Sequence, residues 1–494
     1  MNVENTIMNT KRLFTNVRRA APAFLSGLAF LLILISGCEL IDPTEVRNPQ
    51  IVEDNLIGQA ATAAAALQSA RFGFADLFDN TAYFTDVVSD NYDNIATFIS
   101  PNADDPRAIR ADDLTLNGVN SLYSIAQRER AQITYFLASI VPSDPTAATT
   151  VAGDLKFYRG MAALILGENF AYAPSVAGGP ALTSNQLIDL AITDFTDAST
   201  TGSTTVQQAA LFALARANHA KGSVGAATTA ANNALATTGG GTYLFSSPYD
   251  AATQVNTFYT FAVSRALNDI QPLPRLDFLD PKYTSTSAPI AALKAEEMYL
   301  ILAEAELSAN NLAGARGHML AAMAVATGTS GGRASANFTD GDPRTGRPNA
   351  DSVLVRASAT APSVAGLVKR RSGTSVAQKA FSNTSVDSAA INALTTGEEH
   401  LRMLHLLRQE IFFGEGRRMS DLGIRLPIIQ REIETSPTIA PGDPGTTSTV
   451  PAYIPTGSGL DAFTSDATAG LITITNDMNA VLATNRIARF TMPF

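Results

Sequence analysis

The chain of 494 residues has no tryptophan, a single cysteine, four histidines and a charged fraction of only 16%. Each shortage closes off a class of chemistry. One cysteine, Cys38, allows no disulfide within the chain. His400 and His405 are five positions apart, the wrong spacing for two metal ligands on one helical face. Neither a His-Glu-x-x-His motif nor a Ser-His constellation occurs, so no catalysis is expected. A hydrolase built on paired carboxylates needs them about 5 to 10 Å apart across a cleft, and 45 acidic residues neither show nor exclude such a pair. Without tryptophan, any flat aromatic platform for a ligand rests on 12 Tyr and 24 Phe. Apolar runs are short as well: only residues 24–35 form one, well under the roughly 20 residues of a membrane helix.

That run belongs to an export signal. Lys11, Arg12, Arg18 and Arg19 precede it, and Ser36, Gly37 and Cys38 follow, the small residues standing where a processing enzyme needs them. Met8 is a second candidate start. Ile35-Ser36-Gly37-Cys38 resembles a bacterial lipobox; the alternative is a secretory signal with a coincidental cysteine. The resemblance implies that residues 1–37 are removed and that Cys38 carries a thioether-linked diacylglycerol and an amide-linked acyl chain such as palmitate. Several chains hold durably, because each buried methylene contributes about 0.8 kcal/mol and one chain alone is marginal. Residues 38–50 then form a tether containing Pro43 and Pro49, and its Glu39, Asp42 and Glu45 resemble the surface-export signal of lipoproteins in the Bacteroidota. Without residues 1–37, which hold four basic and one acidic group, 31 basic face 44 acidic residues, a net of −13. Nucleic acid, which demands a basic footprint, is not an expected partner.

The clearest architecture is residues 294–327, two antiparallel helices joined at 308–311. Met298, Ile301, Leu302 and Ala305 keep one helical face, with Glu296, Glu297, Glu304 and Glu306 largely off that stripe. Tyr299, Leu302 and Ala303, then Ala315, Met319 and Ala322, take the packing positions of a tetratricopeptide-like repeat. Residues 206–236 repeat the offsets with Leu211, Leu214, Ala215, Ala227, Ala231 and Ala234. Ala215 and Ala303 are 88 positions apart, not a multiple of about 34, so inserted loops interrupt the repeats. Further helices are expected at 51–78, at 120–140 and 153–168 as a pair, and at 397–423, where Leu401, Leu404, Ile411 and Phe412 mark the buried side. Glu415 with Arg417 or Arg418 and Asp421 is expected to form an ion network locking that helix end to the repeats.

Between the helices lie loop-rich stretches. Around residue 90, Tyr83, Phe84, Tyr92 and Phe98 alternate with Asp90, Asn91, Asp93 and Asn94, which suits a sugar-stacking surface or, alternatively, core anchors with turn-forming neighbours. Residues 243–261 read as irregular or short strand. Residues 328–396 read as a long insertion in which Asp340, Asp342 and Asp351 are either a calcium cluster or turn chemistry. The tail after Pro437 is expected to wrap the surface.

Taken in order, the lipobox at Cys38, Glu297-Met298-Tyr299-Leu300 through Ala303-Glu304-Ala305, and Glu415-Gly416-Arg417-Arg418-Met419-Ser420-Asp421-Leu422 resemble the SusD/RagB family of outer-membrane lipoproteins. Met419 stands where that family usually has an aromatic, and Gly423-Ile424 where it has Trp-Gly. The resemblance implies an all-α fold: one SusD-like domain over 51–494, with about four tetratricopeptide-like helix pairs near 120–170, 206–236, 294–327 and 397–423 and loop-rich insertions. It implies a non-enzymatic protein without cofactor or metal, lipid-anchored in the outer membrane and facing the exterior. Such a protein binds an oligosaccharide or peptide nutrient and hands it to a TonB-dependent, SusC-like barrel. Ligand contacts are then expected at Asn91, Tyr92, Asn94, Phe98 and Tyr283. The lack of tryptophan favours soluble oligosaccharides or peptides over large crystalline glycans. A helical-repeat scaffold for outer-membrane assembly is the alternative, and predicts tandem repeats without the 328–396 insertion.

Overall fold

Helices packed each on the next make the core. In the computed structural model, residues 57–494 are described apart from 95–100, 119–120, 240, 263–269, 340–343, 349 and 372. The expected signal and tether, Cys38, Phe98, Asp340 and Asp342 lie outside the described residues. Residues 60–494 form one compact unit. Helix Thr62–Val87, which extends past its expected end, packs on Leu122–Tyr135 and Val151–Asn169. The series continues through Ser184–Thr201, Thr204–Ala220, Val224–Thr237, Ala295–Ser308 and Leu312–Thr327. Gly397–Ile411 packs on the last two, and Met478–Thr484 packs on it in turn. The two expected hairpins are present, with Ala227, Ala231 and Ala234 of one and Ala315, Met319 and Ala322 of the other wholly buried. Small side chains there let the helix axes approach closely. Among the described residues no helix is long and apolar enough to cross a membrane.

Three features depart from the sequence reading. The helix Ser184–Thr201 is additional, and it takes Val151–Asn169 as its hairpin partner. It opens on a Thr183/Gln186 capping box and buries Leu187, Ile188, Ala191, Phe195 and Ala198. Glycines make the close approach possible: a Cβ on Gly160 would lie 2.7 Å from the Phe195 ring, and one on Gly167 2.7 Å from Ile188. The expected 397–423 helix breaks after Ile411, because Gly414 and Gly416 adopt left-handed φ of 72° and 71°, and resumes only as Arg418–Asp421. Thirdly, Glu296, Glu297 and Glu304 are buried, since the 295–308 helix lies within the series and is covered on nearly every side.

The insertion and the tail are more ordered than composition suggests. Ser335–Thr339 pairs with Ser375–Lys379. Leu354–Arg356 pairs with Ser363–Ala365 and, in parallel, with Leu471–Ile474, which pairs with Phe463–Asp466. This four-stranded sheet therefore joins the insertion to the tail, whose Ile472, Ile474 and Leu482 are buried. Leu244–Ser247 pairs with Ile290–Lys294, and Tyr92–Asn94 pairs antiparallel with Ile270–Pro272.

Candidate functional site

Of the residues expected to meet a ligand, Asn91, Tyr92, Asn94 and Tyr283 are interior. Tyr92 is fully buried; its ring stacks on Phe413 at 5.0 Å between centroids, meets Phe258 edge-on at 5.5 Å, and its hydroxyl donates to Asp280 Oδ1 at 2.9 Å. Tyr283 is 1% exposed, packs edge-on against Phe258 and donates to the Gly414 carbonyl at 2.6 Å. Asn91 Nδ2 donates to Asp86 Oδ2 at 3.1 Å, and its Oδ1 accepts from Gln409. The Asn94 backbone N–H donates to Asp104 Oδ1 at 3.0 Å. Burial pushes both tyrosine hydroxyls well above their ordinary range. Tyr92, Tyr283, Asn91 and Asn94 are thus buried, as the core-anchor alternative expects of Tyr92. Asp351 is exposed and accepts from the Arg370 backbone N–H.

The signature residues form a charged hub instead of a closed network among themselves. Glu415 Oε1 accepts from Lys282 and Lys294 at 2.5 and 2.7 Å. Arg417 reaches Glu297 at 3.2 Å, Arg418 reaches Asp90 at 2.5 Å, and Asp421 pairs with Arg408 at 2.9 Å. Each of these contacts ties the 412–421 segment to another part of the chain, while within the motif Arg417 Nη1 donates to the Glu415 carbonyl at 2.9 Å. Glu304, beside it, accepts from His219 at 2.7 Å and from the Arg489 and Phe490 amides. Burial alone would raise the Glu304 carboxyl, but His219 and these donors hold it down at about 2. Burial lowers the Lys294 ammonium to about 8 despite Glu415. Tyr299 is half-buried and Ala303 fully buried on the same helix. These residues join separate elements of the fold.

Surface concavities flank the short helix Gln430–Thr435. On one side is a groove of about 640 Å³ lined by Arg107, Arg110, Asp112, Gln430, Glu434 and Thr447, among others. On the other, about 290 Å³ lies between Gln127, Arg130, Val176 and Glu432. The larger groove has the volume of a small-molecule site. Arg107 fixes its floor by donating to the Pro451 and Pro455 carbonyls at 2.7 and 2.9 Å. Arg110 and Asp112 form an exposed two-point pair at 3.0 and 3.1 Å, and Gln430 donates to Glu434 at 2.9 Å. Planar guanidinium, carboxylate and carboxamide groups beside hydroxyls can grip vicinal hydroxyls or a peptide backbone. Among the described residues no aromatic ring lines this groove. Sequence reasoning missed it, because residues 107–112 and 430–448 come together only in the fold and neither stretch carries a motif.

No protein-family model and no curated protein matches the sequence. Solved structures do match in fold. A SusD superfamily protein from Bacteroides fragilis gives a TM-score of 0.53 at 14% identity, over 78% of this chain and 99% of the other. A SusD superfamily protein from Bacteroides vulgatus gives 0.52 at 13% identity, over 76% and 98%. A laminarin binding SusD-like protein gives 0.51 at 13% identity, over 78% and 99%. The fold, an all-α helical-repeat core with loop-rich insertions, is the SusD-like one.

Proposed function

We propose that this chain is a SusD/RagB-type nutrient-binding lipoprotein that captures a soluble oligosaccharide and delivers it to a TonB-dependent barrel in the outer membrane. The observation that carries this reading is the fold shared over nearly the whole length of a laminarin binding SusD-like protein. The 107–112/430–448 groove supports it: its groups suit a polyol, and they stand on a floor already held by hydrogen bonds, so little ordering is required on binding. The resemblance of residues 35–38 to a lipobox supports anchoring through acyl chains on Cys38, with residues 38–50 read from their sequence as a tether. The function is binding and hand-over, with no bond made or broken.

Calorimetry of the purified chain against laminari-oligosaccharides, other soluble glycans and short peptides tests the ligand. Saturable binding of a glycan is expected. Binding of peptides alone would move the substrate class. Membrane extraction in mild detergent followed by affinity purification tests the partner, and recovery of the lone chain at every detergent concentration would count against the barrel.

A further inference from the structure

We propose that the pocket of about 290 Å³ beside Arg130 binds a small carboxylate that also carries a hydrogen-bond donor, with the carboxylate on the Arg130 guanidinium and the donor on Glu432. The pocket lies across the Gln430–Thr435 helix from the groove assigned to the glycan, so the inference does not rest on that assignment.

One helical face and two short segments build the site. Gln127, Arg130, Ala131 and Thr134 recur at i, i+3, i+4 and i+7 on the helix Leu122–Tyr135 and so share a face. The chain leaving the strand Tyr172–Pro174 adds Ser175 and Val176, and the Gln430–Thr435 helix adds Glu432. Arg130 is 7% exposed, and three uncharged oxygens hold it: Nη1 donates to Gln127 Oε1 at 2.8 Å and to the Pro174 carbonyl at 3.3 Å, and Nη2 donates to the Ser175 carbonyl at 3.1 Å. A guanidinium has five N–H donors, so two remain, and among the described residues the one on Nε has no acceptor. The Nε edge is the one that Arg216, Arg333 and Arg418 turn to carboxylates in this chain.

Charge sets Arg130 apart. Among the described residues ten arginines are buried; nine pair with a carboxylate, and Arg130 does not. Asp194 is near, but Arg159 already engages both its oxygens at 2.8 and 2.7 Å. Burial, then repulsion from Arg159, therefore lowers the Arg130 guanidinium from its ordinary value. Glu432 is half-buried, burial raises its carboxyl, and among the described residues it pairs with no cation. A buried charge without a partner is costly, and a ligand bringing a carboxylate to one group and a donor to the other offsets both costs. The volume is just under the usual range for ligand pockets, which suits a monosaccharide acid or a single amino acid.

The test uses the purified full chain in detergent, titrated by calorimetry with D-glucuronate and L-valine, and with glucuronamide and valinamide, which lack the carboxylate. Saturable binding of glucuronate or valine, one per chain, is expected, with its amide at least about tenfold weaker, the equivalent of ~1.4 kcal/mol. Arg130→Gln should weaken the bound acid by a similar factor. Glu432→Gln separates the two sources: valine should weaken, because its ammonium loses a counter-charge, and glucuronate, whose hydroxyls can donate to an amide oxygen, should weaken less. Val176 is 64% exposed, so Val176→Asp leaves the core intact. It brings a repelling carboxylate to the pocket, should weaken either acid, and serves should Arg130→Gln fail to fold. Binding of neither acid at millimolar concentration would overturn the site, as would an amide that binds as tightly as its acid or an Arg130→Gln chain that binds the acid as wild type does.

Discussion

Arg333 in the insertion sets its guanidinium on the Glu296 carboxylate of the central repeat helix, Nε to Oε1 at 2.6 Å and Nη2 to Oε2 at 2.7 Å, with both side chains fully buried. Its Nη1 also donates to the Thr242 and Gly331 carbonyls. The insertion therefore completes the core, and a carboxylate that burial alone would protonate stays charged because Arg333 is there. Arg333→Ala would leave that charge buried and unpaired, so a loss of about 3–5 kcal/mol is expected in urea denaturation. Replacing both partners, Arg333→Met with Glu296→Met, should recover much of it. A loss under about 1 kcal/mol in the single variant would mean that water reaches Glu296 and that the insertion is dispensable.

What the sequence made legible was local. The hairpins at 206–236 and 294–327 follow from small and large residues at helical spacing, and nothing distant is needed to see them. The helix Ser184–Thr201 carries the same kind of signal in Leu187, Ile188, Ala191 and Phe195, but its many Ser, Thr and Asp residues masked it. The roles of Tyr92 and Tyr283 were not legible, because they depend on Asp280 and Gly414, which only the fold brings near. Ion partners were hidden for the same reason: Arg417 selects Glu297, and Arg418 selects Asp90, from 45 acidic residues. The burial of Glu296, Glu297 and Glu304 escaped because a one-sided apolar stripe assumes a helix with one wet face.

A second prediction concerns pH. Glu129 of the 122–135 helix faces Gly73, where a Cβ would lie 1.8 Å from Glu129 Oε2, and its Oε1 has no partner. Burial raises this carboxyl from 4.5 to about 8. Between those values the folded chain keeps a proton that the unfolded chain has lost. The stabilising contribution is thus fully present below about pH 4.5 and is lost as pH rises towards 8, by up to ~1.4 kcal/mol for each unit crossed. Glu129→Gln removes this dependence, so denaturation at pH 5 and pH 8.5 should show the variant gaining on wild type at the higher pH. An unchanged difference between the two pH values would show that Glu129 titrates normally.

Anchoring gives a third. Cys38 is the only cysteine and ends the stretch 35–38 that resembles a lipobox, so the proposed thioether acylation has one site. Cells expressing Cys38→Ala and fed a fatty-acid analogue should show no label on the chain, and the chain should leave the membrane fraction or persist as precursor. Absence of label on the wild type would sink the lipoprotein reading, whatever the variant does.

The fourth separates recognition from stability. In the groove, Arg110 and Glu434 are exposed and make few internal contacts, so Arg110→Ala and Glu434→Ala should each change stability by less than about 0.5 kcal/mol. If a glycan lies there, a lost hydrogen bond to a charged group corresponds to about 1.5–3 kcal/mol, and affinity should fall at least tenfold. Tyr92→Ala is the opposite case. Its ring fills space between Phe413 and Phe258, so the variant should lose about 3–5 kcal/mol of stability. Tyr92→Phe keeps the ring and gives up only the bond to Asp280, so it should bind the glycan as wild type does. Calorimetry and melts on the four variants decide the matter. Reduced glycan affinity in Tyr92→Phe with unchanged affinity in both groove variants would place the ligand beside the 92–94 strand and leave the 107–112/430–448 groove without a role in recognition.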